Sequence, residues 1–354
     1  MKTISTLRIE KRDTSKIADV DFSNLAFGSV FTDHMFSCEY ANGQWQQPEI
    51  VPYGPLSIDP SAKVFHYGQA VFEGMKAFKD DKDDVFLFRP EDNWARINKS
   101  SVRLAMPEFP KEVFMEGLTE LLKLDDAWIK SGDGNSLYIR PFVIATQAGV
   151  SASPSDRYKF LIILAPAQSY YAGEVNVVFA EKYSRAADGG VGYAKAAGNY
   201  AAQFYPTDLA KEEGYQQIIW TDANSHEYLE EAGTMNVFFR VGDTLITAPN
   251  NDRILDGITR KSVIQLAEDA GISVEVRPVA VKEIVAAAEA GELKEIFGVG
   301  TAAVVVPFKS FGYKGVNHKI NTPENSYGMK FKNMLNDIQY NRAEDPYGWR
   351  IAVK

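Results

Sequence analysis

The chain has 354 residues, and its 38 Lys and Arg against 47 Asp and Glu give a formal net charge of −9 at pH 7. Hydrophobic residues make up 45% and charged residues 24% of the chain, which is typical of globular proteins and excludes disordered and fibrous classes. Binding to phosphate backbones needs a concentrated positive field, so this acidic balance predicts no nucleic-acid partner. The length favours two domains.

No segment has the features of a membrane span or a secretory signal. The longest apolar stretches, 160–167 and 301–308, are well below the roughly 18 residues that a membrane-spanning helix needs. Residues 1–16 alternate polar and charged side chains without an apolar centre. The single cysteine, Cys38, cannot form an intramolecular disulfide and fits a reducing compartment. We therefore expect a cytoplasmic protein with no membrane contact.

The first half of the chain predicts helices and strands by its periodicity. Residues 85–88 form a strand pattern, and 91–106 and 111–129 carry apolar residues at helical spacing. The β-rich segments 137–144 and 158–164 are separated by a Gly/Ser/Pro loop. They predict neighbouring strands of one sheet.

The segment 165–173 has neither a helical nor a strand period and lies close to the middle of the chain. We place the domain boundary there, because linkers are irregular segments between periodic ones. The prediction is a small N-terminal domain over 1–165, an interdomain loop over 166–173 and a large domain over 174–354.

The second half mixes strands and helices irregularly. The pattern predicts helices over 199–213, 259–270 and 283–289, and strands over 175–180, 216–221, 235–241, 244–248, 274–276 and 295–308. Gly242-Asp243 joins two of these strands as a tight hairpin. Since strands do not alternate strictly with helices, we expect an α+β fold rather than a doubly wound sheet.

Familiar metal and nucleophile patterns are missing from the sequence. The four histidines are scattered singly, so no metal site is expected. There is no Gly-x-Ser-x-Gly elbow and no Gly-x-x-x-x-Gly-Lys-Ser/Thr loop. Hydrolase and P-loop functions therefore have no support in the sequence.

Lys195 is the only charged residue between Asp188 and Asp208, and it is surrounded by Ala and Gly. Small neighbours let other groups approach the amine and exclude water, which disfavours the ammonium form. A lysine that forms a Schiff base must leave that form in order to act as a nucleophile. The alternative is an ordinary lysine that reaches solvent before the next helix.

Two Gly-containing turns have backbone amides that can face an anion. Asp256-Gly-Ile-Thr leads into the helix over 259–270, so the amides of Ile258 and Thr259 lie at a helix N-terminus, together with the Thr259 hydroxyl. The second turn is Phe297-Gly-Val-Gly-Thr301-Ala302. Each also has an ordinary interpretation, the first as a helix cap and the second as a simple β-turn.

Glu230 and Glu231 are adjacent carboxylates at the start of a predicted strand. Neighbouring strand residues point to opposite faces, so at most one of them can face a site while the other is solvated. A buried carboxylate beside a protonated ring nitrogen would be stabilised in its charged form.

Further motifs occur in a fixed order along the chain. They are Phe31-Thr-Asp-His-Met35, His66-Tyr-Gly-Gln-Ala-Val-Phe-Glu-Gly-Met-Lys-Ala-Phe78, Phe88-Arg-Pro, Tyr138-Ile-Arg-Pro141, Lys195-Ala-Ala-Gly-Asn-Tyr200, Glu231-Ala-Gly-Thr-Met-Asn236, Gly257-Ile-Thr-Arg260, Gly300-Thr-Ala302 and Asp337-Ile-Gln-Tyr340. Together they resemble the fold-type IV pyridoxal-phosphate enzymes, most closely the branched-chain amino acid aminotransferases. The resemblance covers nearly the whole chain from about residue 27 onward. It implies a two-domain α+β architecture with a smaller N-terminal α/β domain and a larger, cofactor-binding C-terminal domain.

The resemblance implies that Lys195 is bound covalently to pyridoxal 5′-phosphate (PLP). It further implies that Glu231 keeps the pyridine nitrogen protonated and that Tyr200 bonds the phenolic oxygen of the ring. The phosphate would be held by Arg96, the amides of Ile258 and Thr259, and the Thr301 hydroxyl. A guanidinium fork and a helix N-terminus suit a dianionic phosphate.

The implied reaction is a ping-pong transfer of an amino group between Leu, Ile or Val and 2-oxoglutarate. By the same resemblance, the Thr301 and Ala302 amides and the Tyr138 hydroxyl bind the substrate carboxylate, while Arg140 accepts the distal carboxylate of glutamate. The side-chain pocket is expected from Phe31, Tyr67, Phe72, Tyr138, Thr234 and Met235. Each of these aromatic residues could instead belong to an ordinary core. A homodimer is implied, because in the family the region around Tyr138 is contributed across a dimer interface.

Alternatives remain on the same fold and outside it. D-amino acid aminotransferases and aminodeoxychorismate lyases share this fold, although Tyr138-Ile-Arg-Pro141 and Glu73-Gly-Met-Lys-Ala-Phe78 match the branched-chain group better. A Schiff-base lyase without PLP, or a silent binding protein, would need no phosphate-binding set. Animal members carry Cys-x-x-Cys where this chain has Ala303 and Val306, so a thiol switch at that place is excluded.

Overall fold

The computed structural model of the chain describes residues 6–168 and 174–354. Its strands are β1 (Arg8–Ile9), β2 (His34–Ala41), β3 (Gln44–Trp45), β4 (Glu49–Pro52), β5 (Ala70–Phe72), β6 (Met75–Lys79), β7 (Val85–Phe88), β8 (Ser136–Ala145), β9 (Tyr158–Ala167), β10 (Val175–Phe179), β11 (Gln217–Thr221), β12 (Tyr228–Ala232), β13 (Met235–Val241), β14 (Thr244–Thr247), β15 (Val274–Val276), β16 (Val279–Ala280), β17 (Leu293–Gly300), β18 (Val304–Tyr313), β19 (Val316–Lys319) and β20 (Arg350–Ala352). Its α-helices are α1 (Lys63–Tyr67), α2 (Pro90–Arg103), α3 (Lys111–Leu124), α4 (Ala197–Ala201), α5 (Phe204–Glu212), α6 (Ile258–Asp269), α7 (Val281–Glu289) and α8 (Tyr327–Gln339). Among these described residues, none of the helices is long and apolar enough to cross a membrane.

The chain folds into two compact units, and the predicted α+β class is confirmed. The first unit gathers Met1–Tyr170, Ala194–Ala197 and Asp337–Lys354, and the second gathers Tyr171–Tyr193 and Gly198–Asn336. Two later segments of the chain return to the first unit, so the two units are not consecutive along the sequence. The predicted interdomain loop over 166–173 lies partly outside the described residues, so its bounds stay a prediction.

The first unit is built on one mixed sheet. Its strand order is β1-β4-β2-β9-β8-β6-β7-β20, with β3 on β2 and β5 on β8. Strands β8 and β9 pair antiparallel over their whole length, from Ser136↔Ala167 to Ala145↔Tyr158, which confirms the prediction that they are neighbours. The C-terminal strand pairs with β7 through Arg350↔Phe88, and this is why the end of the chain belongs to the first unit.

Helix α3 packs against β2 in the first unit because one of its core positions has no side chain. A Cβ on Gly117 would lie 2.3 Å from Cε2 of the buried Phe36 ring. The predicted helix over 111–129 ends earlier, at Leu124. The next residue, Asp125, turns its carboxylate to the buried His34, whose Nδ1 lies 2.6 Å from Oδ1 and whose amide donates to Oδ2 at 3.1 Å. A long-range polar contact therefore ends this helix.

The second unit is built on a sheet that closes on itself. The strand order is β15-β14-β13-β17-β18-β10-β11-β12-β16, with β19 on β18, and β12 pairs additionally with β13. The buried apolar cluster of this unit includes Ile219, Val237 and Phe308. The predicted hairpin between β13 and β14 is present, and its Gly242 has the positive φ of 57° that the turn requires. Helix α6 ends at Asp269, one residue before the predicted end, and Gly271 follows at φ 67°.

The region after Lys195 differs from the single helix that we predicted over 199–213. It forms two shorter helices, α4 and α5, because the chain turns at Gln203. The Gln203 amide bonds the carbonyl of Tyr200 at 3.1 Å, and the Gln203 side chain bonds the carbonyl of Asn199 at 2.8 Å. Both bonds tighten the turn and separate the two helices.

The burial of Cys38 leads to a testable prediction about the reactivity of its thiol. Cys38 is 1% exposed in the core of the first unit, and burial raises the pKa of its thiol to about 12. Because the thiolate is the nucleophile, we expect native protein at pH 8 not to react with iodoacetamide over hours. Unfolding in guanidinium chloride should then release one reactive thiol per chain, as counted by mass spectrometry. Alkylation of the native protein as fast as of free cysteine would contradict the packing described here.

Candidate active site

Lys195 is held through its backbone in the first unit. Its amide donates to Ser100 Oγ at 2.9 Å, and its carbonyl accepts from the amide of Phe72 at 3.0 Å. The next residue, Ala196, forms an isolated antiparallel bridge to Val71 beside β5. The amine itself lies 4.8 Å from the centroid of the Phe72 ring, a cation–π distance. The lysine is thus half-buried and fixed at its Cα.

Arg96 lies on the same helix as Ser100, one turn earlier, and is bound to a buried carboxylate. Its Nε donates to Glu73 Oε1 at 2.6 Å and its Nη2 to Oε2 at 2.8 Å, the bidentate geometry of a guanidinium–carboxylate pair. Ser100 donates to the Arg96 carbonyl at 3.0 Å while it accepts from the Lys195 amide. Two residues of the predicted cofactor set are therefore joined through one hydroxyl.

The predicted carboxylate-binding residues of the first unit also lie together. Arg140 Nη2 donates to the Tyr138 hydroxyl at 2.9 Å, and its guanidinium lies 4.7 Å from the Phe72 centroid. Tyr138 can take this position because its neighbour Gly74 has no side chain, since a Cβ there would lie 2.1 Å from the hydroxyl. The Arg140 Nε is buried without a hydrogen-bond partner among residues 6–168 and 174–354. Phe27, which the sequence analysis did not select, packs edge-on against Tyr138 at 4.9 Å.

Two predicted pocket residues of the first unit make other contacts. Phe31 stacks on Tyr53, with ring centroids 4.9 Å apart. Tyr67 is 44% exposed at the end of α1, and its hydroxyl donates to the carbonyl oxygen of Val150. Among the aromatic ring pairs of the described residues, neither of these two rings pairs with Tyr138 or Phe72. Their assignment to the substrate pocket stays a prediction.

In the second unit, Glu231 is a buried carboxylate surrounded by donors. It is 4% exposed, and Arg185 Nη2 lies 2.5 Å from its Oε1. Asn236 Nδ2 donates to Oε2 at 3.0 Å, and the Leu255 amide reaches both oxygens at 3.3 Å. Arg185 is a residue that the sequence analysis missed. It lies in a segment without helical or strand period, where only a tertiary contact shows its role.

The burial of Glu230 differs from our prediction. We predicted that the partner of Glu231 in this adjacent pair would be solvated, but Glu230 is only 3% exposed. It is buried because Arg253 binds its Oε1 and also binds Asp188. Burial raises the pKa of Glu230, and Arg253 opposes this effect. The outer face of β12 is therefore covered by an ion-pair network instead of water.

The start of α6 lies beside Glu231. The helix begins at Ile258, with Ile258 and Thr259 6% and 8% exposed. The preceding Gly257 is required by a close approach, since a Cβ there would lie 1.8 Å from Asn236 Oδ1. The same Asn236 bonds Glu231 and, at 2.9 Å, the carbonyl of Leu255. One asparagine thus brings the predicted carboxylate and the predicted anion-binding helix terminus together.

The other predicted residues of the second unit lie on adjoining turns. Thr301 and Ala302 form the half-buried turn between β17 and β18. The glycines before it allow close packing, because a Cβ on Gly298 would lie 2.8 Å from Met235 Sδ and one on Gly300 3.2 Å from the Thr234 carbonyl oxygen. These glycines therefore provide space, and the prediction that the amides of this turn face an anion stays a prediction.

Tyr200 lies on α4, three residues before Gln203, whose side chain lies against the turn that precedes Met235. A Cβ on Gly233 would lie 2.9 Å from Gln203 Oε1, so the helix region packs directly against this turn. The neighbouring Asn199 donates to the Val191 carbonyl at 2.8 Å and fixes the start of α4. In the second unit, Asn236 thus links Glu231 to the start of α6, and Thr234 and Met235 lie on the turn that precedes Asn236.

The model of the family described as amino-transferase class IV matches residues 70–311. The chain belongs to the class IV aminotransferases. It is 45% identical over 353 residues, 98% of each chain, to a probable branched-chain-amino-acid aminotransferase of Staphylococcus epidermidis. It is 42% identical over 356 residues to branched-chain-amino-acid aminotransferase 2 of Bacillus subtilis, covering 99% of this chain and 98% of the relative. The resemblance drawn from the motifs is confirmed.

Solved structures of class IV aminotransferases share this fold. A branched-chain aminotransferase of Thermoproteus uzoniensis, solved with norvaline, aligns with a TM-score of 0.76 at 22% identity and covers 91% of this chain and 100% of its own. The Escherichia coli branched-chain amino acid aminotransferase aligns with a TM-score of 0.75 at 24% identity, over 91% and 99%. The two-domain fold-type IV architecture is therefore confirmed.

A substitution at Gly257 tests its close contact with Asn236, the residue that links Glu231 to the start of α6. Gly257 has an ordinary φ of −69°, so an Ala at this position is strained only by its clash with Asn236. We expect Gly257→Ala to displace Asn236 from two buried partners and to lower the free energy of unfolding by about 1–3 kcal/mol, measured by urea denaturation.

The matched control is Gly54→Ala, because no heavy atom lies within 4 Å of a Cβ there and its φ is not positive. Its free energy of unfolding should stay within about 0.5 kcal/mol of the unsubstituted protein or increase slightly. Equal stabilities for the two variants would show that Asn236 does not lie against Gly257.

Proposed function

We propose that this aminotransferase uses PLP to transfer the amino group between Leu, Ile or Val and 2-oxoglutarate. The observation that carries the proposal is Lys195, anchored at both backbone groups and tied through Ser100 to the helix of Arg96. A lysine with a fixed Cα and an amine against an aromatic ring is suited to covalent attachment of an aldehyde. The names of the Staphylococcus and Bacillus relatives supply the substrate class.

The residues present fit a phosphorylated cofactor. The buried start of α6 has first-turn amides at Ile258 and Thr259 that the helix itself does not use, and such termini bind phosphate. Arg96 adds a guanidinium and Thr301 a hydroxyl, as the resemblance implies. Four donors of these types suit a dianion. A Schiff-base enzyme without PLP would have no use for them.

When bound, PLP supplies the electron sink that stabilises negative charge at the substrate Cα. Residues of the chain would orient the cofactor and move the proton. Glu231, whose carboxylate oxygens are both fixed by donors, would hold a proton on the pyridine nitrogen. The Tyr200 hydroxyl would donate a hydrogen bond to the phenolic oxygen of the ring. Lys195 Nζ would take the proton from the substrate Cα and return it to the C4′ carbon of the cofactor.

Substrate selection would use two groups of residues that the resemblance implies: those that bind the carboxylates and those that contact the substrate side chain. Arg140, whose buried Nε has no partner among the residues that the structure describes, has a donor for the distal carboxylate of glutamate. Tyr138 and the amides of Thr301 and Ala302 would bind the α-carboxylate. Phe31, Tyr67, Phe72, Thr234 and Met235 would contact the branched side chain, whose recognition depends on apolar contact.

The protein would act as a homodimer in the reducing cytoplasm. In the first unit, Phe65, Tyr67 and Val150 are 61%, 44% and 70% exposed, and a bond between the Tyr67 hydroxyl and the Val150 carbonyl links two of them. Large apolar side chains grouped on a surface favour contact with another protein surface. A second copy of the chain is the partner that the resemblance implies.

Borohydride reduction tests the catalytic assignment. We expect the purified protein to be yellow and to lose its visible band on addition of leucine. Reduction followed by peptide mapping should place a pyridoxyl group on Lys195, and Lys195→Ala should lower kcat by at least about 10³-fold. Adduct on another lysine would contradict the assignment. The control is Lys211→Ala, an exposed lysine on α5, which should keep both the band and the activity.

Sedimentation tests the dimer. Val150→Asp introduces a charge at an exposed position, so the monomer should fold unchanged while self-association weakens by at least about 10-fold. The unsubstituted chain should sediment at twice its 39.4 kDa mass at micromolar concentration. The matched control, Val316→Asp on β19, is 54% exposed and should remain dimeric. A monomeric unsubstituted chain would rule out the dimer.

A further inference from the structure

The motif Phe72-Glu73-Gly74 contains a carboxylate that has no role in the proposed reaction. Glu73 is 0% exposed, and both of its oxygens accept hydrogen bonds. Arg96 donates from Nε and Nη2 at 2.6 and 2.8 Å, Asn93 Nδ2 at 2.7 Å and the Gly74 amide at 3.1 Å. A buried carboxylate is costly unless such partners compensate for the loss of water. Because these hydrogen bonds hold the Glu73 carboxylate in one orientation, Glu73 also restrains the side chains that donate to it.

The charge of Glu73 is maintained inside the protein. Burial favours its neutral form, but the positive charges of Arg96 and Lys195 and the Asn93 hydrogen bond outweigh this effect and keep the pKa of Glu73 below its usual value. Glu73 therefore presents an anion to Arg96 at neutral pH. Two parallel charge-assisted bonds fix the plane of the guanidinium as well as its position.

We propose that Glu73 is a positioning residue, which orients the Arg96 guanidinium for the cofactor phosphate. The inference rests on the proposed function, since it needs Arg96 to bind that phosphate. Because Glu73 binds the edge formed by Nε and Nη2, the plane of the guanidinium is set before a ligand arrives. Preorganisation of this kind raises affinity by removing the entropy cost of ordering the side chain on binding.

The test compares a cofactor with and without its phosphate. Glu73→Asp keeps the negative charge but is one methylene shorter, so its two oxygens cannot reach both Arg96 nitrogens at the present distances. The dissociation constants of PLP and of pyridoxal, which lacks the phosphate, are measured on the full-length chain freed of cofactor. We expect the ratio of the pyridoxal constant to the PLP constant to fall by about 10-fold, with the pyridoxal constant changed less than about 2-fold.

A ratio within about 2-fold of the unsubstituted protein would overturn the proposal. So would a parallel loss of affinity for both ligands, which is what a merely structural role produces. In an Arg96→Ala background, Glu73→Asp should leave the ratio unchanged, and a further fall would show that Glu73 does not act through Arg96. The matched control is Glu91→Asp, an exposed carboxylate on the same helix, which should leave both constants unchanged.

A second variant keeps the test decisive if Glu73→Asp does not fold. Arg96→Lys preserves the positive charge but cannot form the fork with Glu73, so the ratio should fall by a similar factor. A retained ratio would mean that charge alone suffices, which overturns the positioning role. If the unsubstituted protein binds PLP and pyridoxal equally, or Arg96→Ala leaves the ratio unchanged, the phosphate assignment in the proposed function fails instead.

Discussion

Lys195 owes its place to two backbone hydrogen bonds, one to Ser100 on α2 and one from Phe72 at the end of β5. Because the amide and the carbonyl are both used, the Cα is fixed and only the side-chain rotors place the amine. The flanking Ala194 and Ala196 are 2% and 5% exposed, so larger side chains would collide with the elements that hold the segment. The small neighbours of Lys195 thus allow the close packing that holds its backbone, and this packing positions the amine for its proposed reaction.

Buried carboxylates with matched donors occur in both units. Glu73 in the first unit and Glu231 in the second are each bound by an arginine and by neutral N–H groups. An ion pair of this kind contributes little net stability, since desolvation offsets most of the attraction. Its effect is geometric, because a carboxylate with both oxygens engaged has one orientation. Such pairs are expected where a reaction needs charges at fixed places.

The glycines of the motifs provide room. Gly74 and Gly257 lack positive φ, and each leaves space for a polar atom of a neighbouring strand, the Tyr138 hydroxyl and Asn236 Oδ1 respectively. In both cases that atom belongs to a residue of the proposed site or to one that holds it. A methyl group at either position would move a functional side chain without changing the local backbone.

The α+β class, the pairing of β8 with β9, the hairpin at Gly242 and the start of α6 near Ile258 were all predicted correctly from the amino-acid sequence. These features depend on periodicity and on turn residues, which act within one or two turns of the chain. Three contacts became visible only in the folded chain: Arg185 pairs with Glu231, Glu230 is buried against Arg253, and Phe27 packs on Tyr138. It also ended α3 at Leu124, through the contact of Asp125 with His34. The partners in these contacts are distant in sequence, and their pairing depends on how strands and helices pack, which spacing along the chain does not encode.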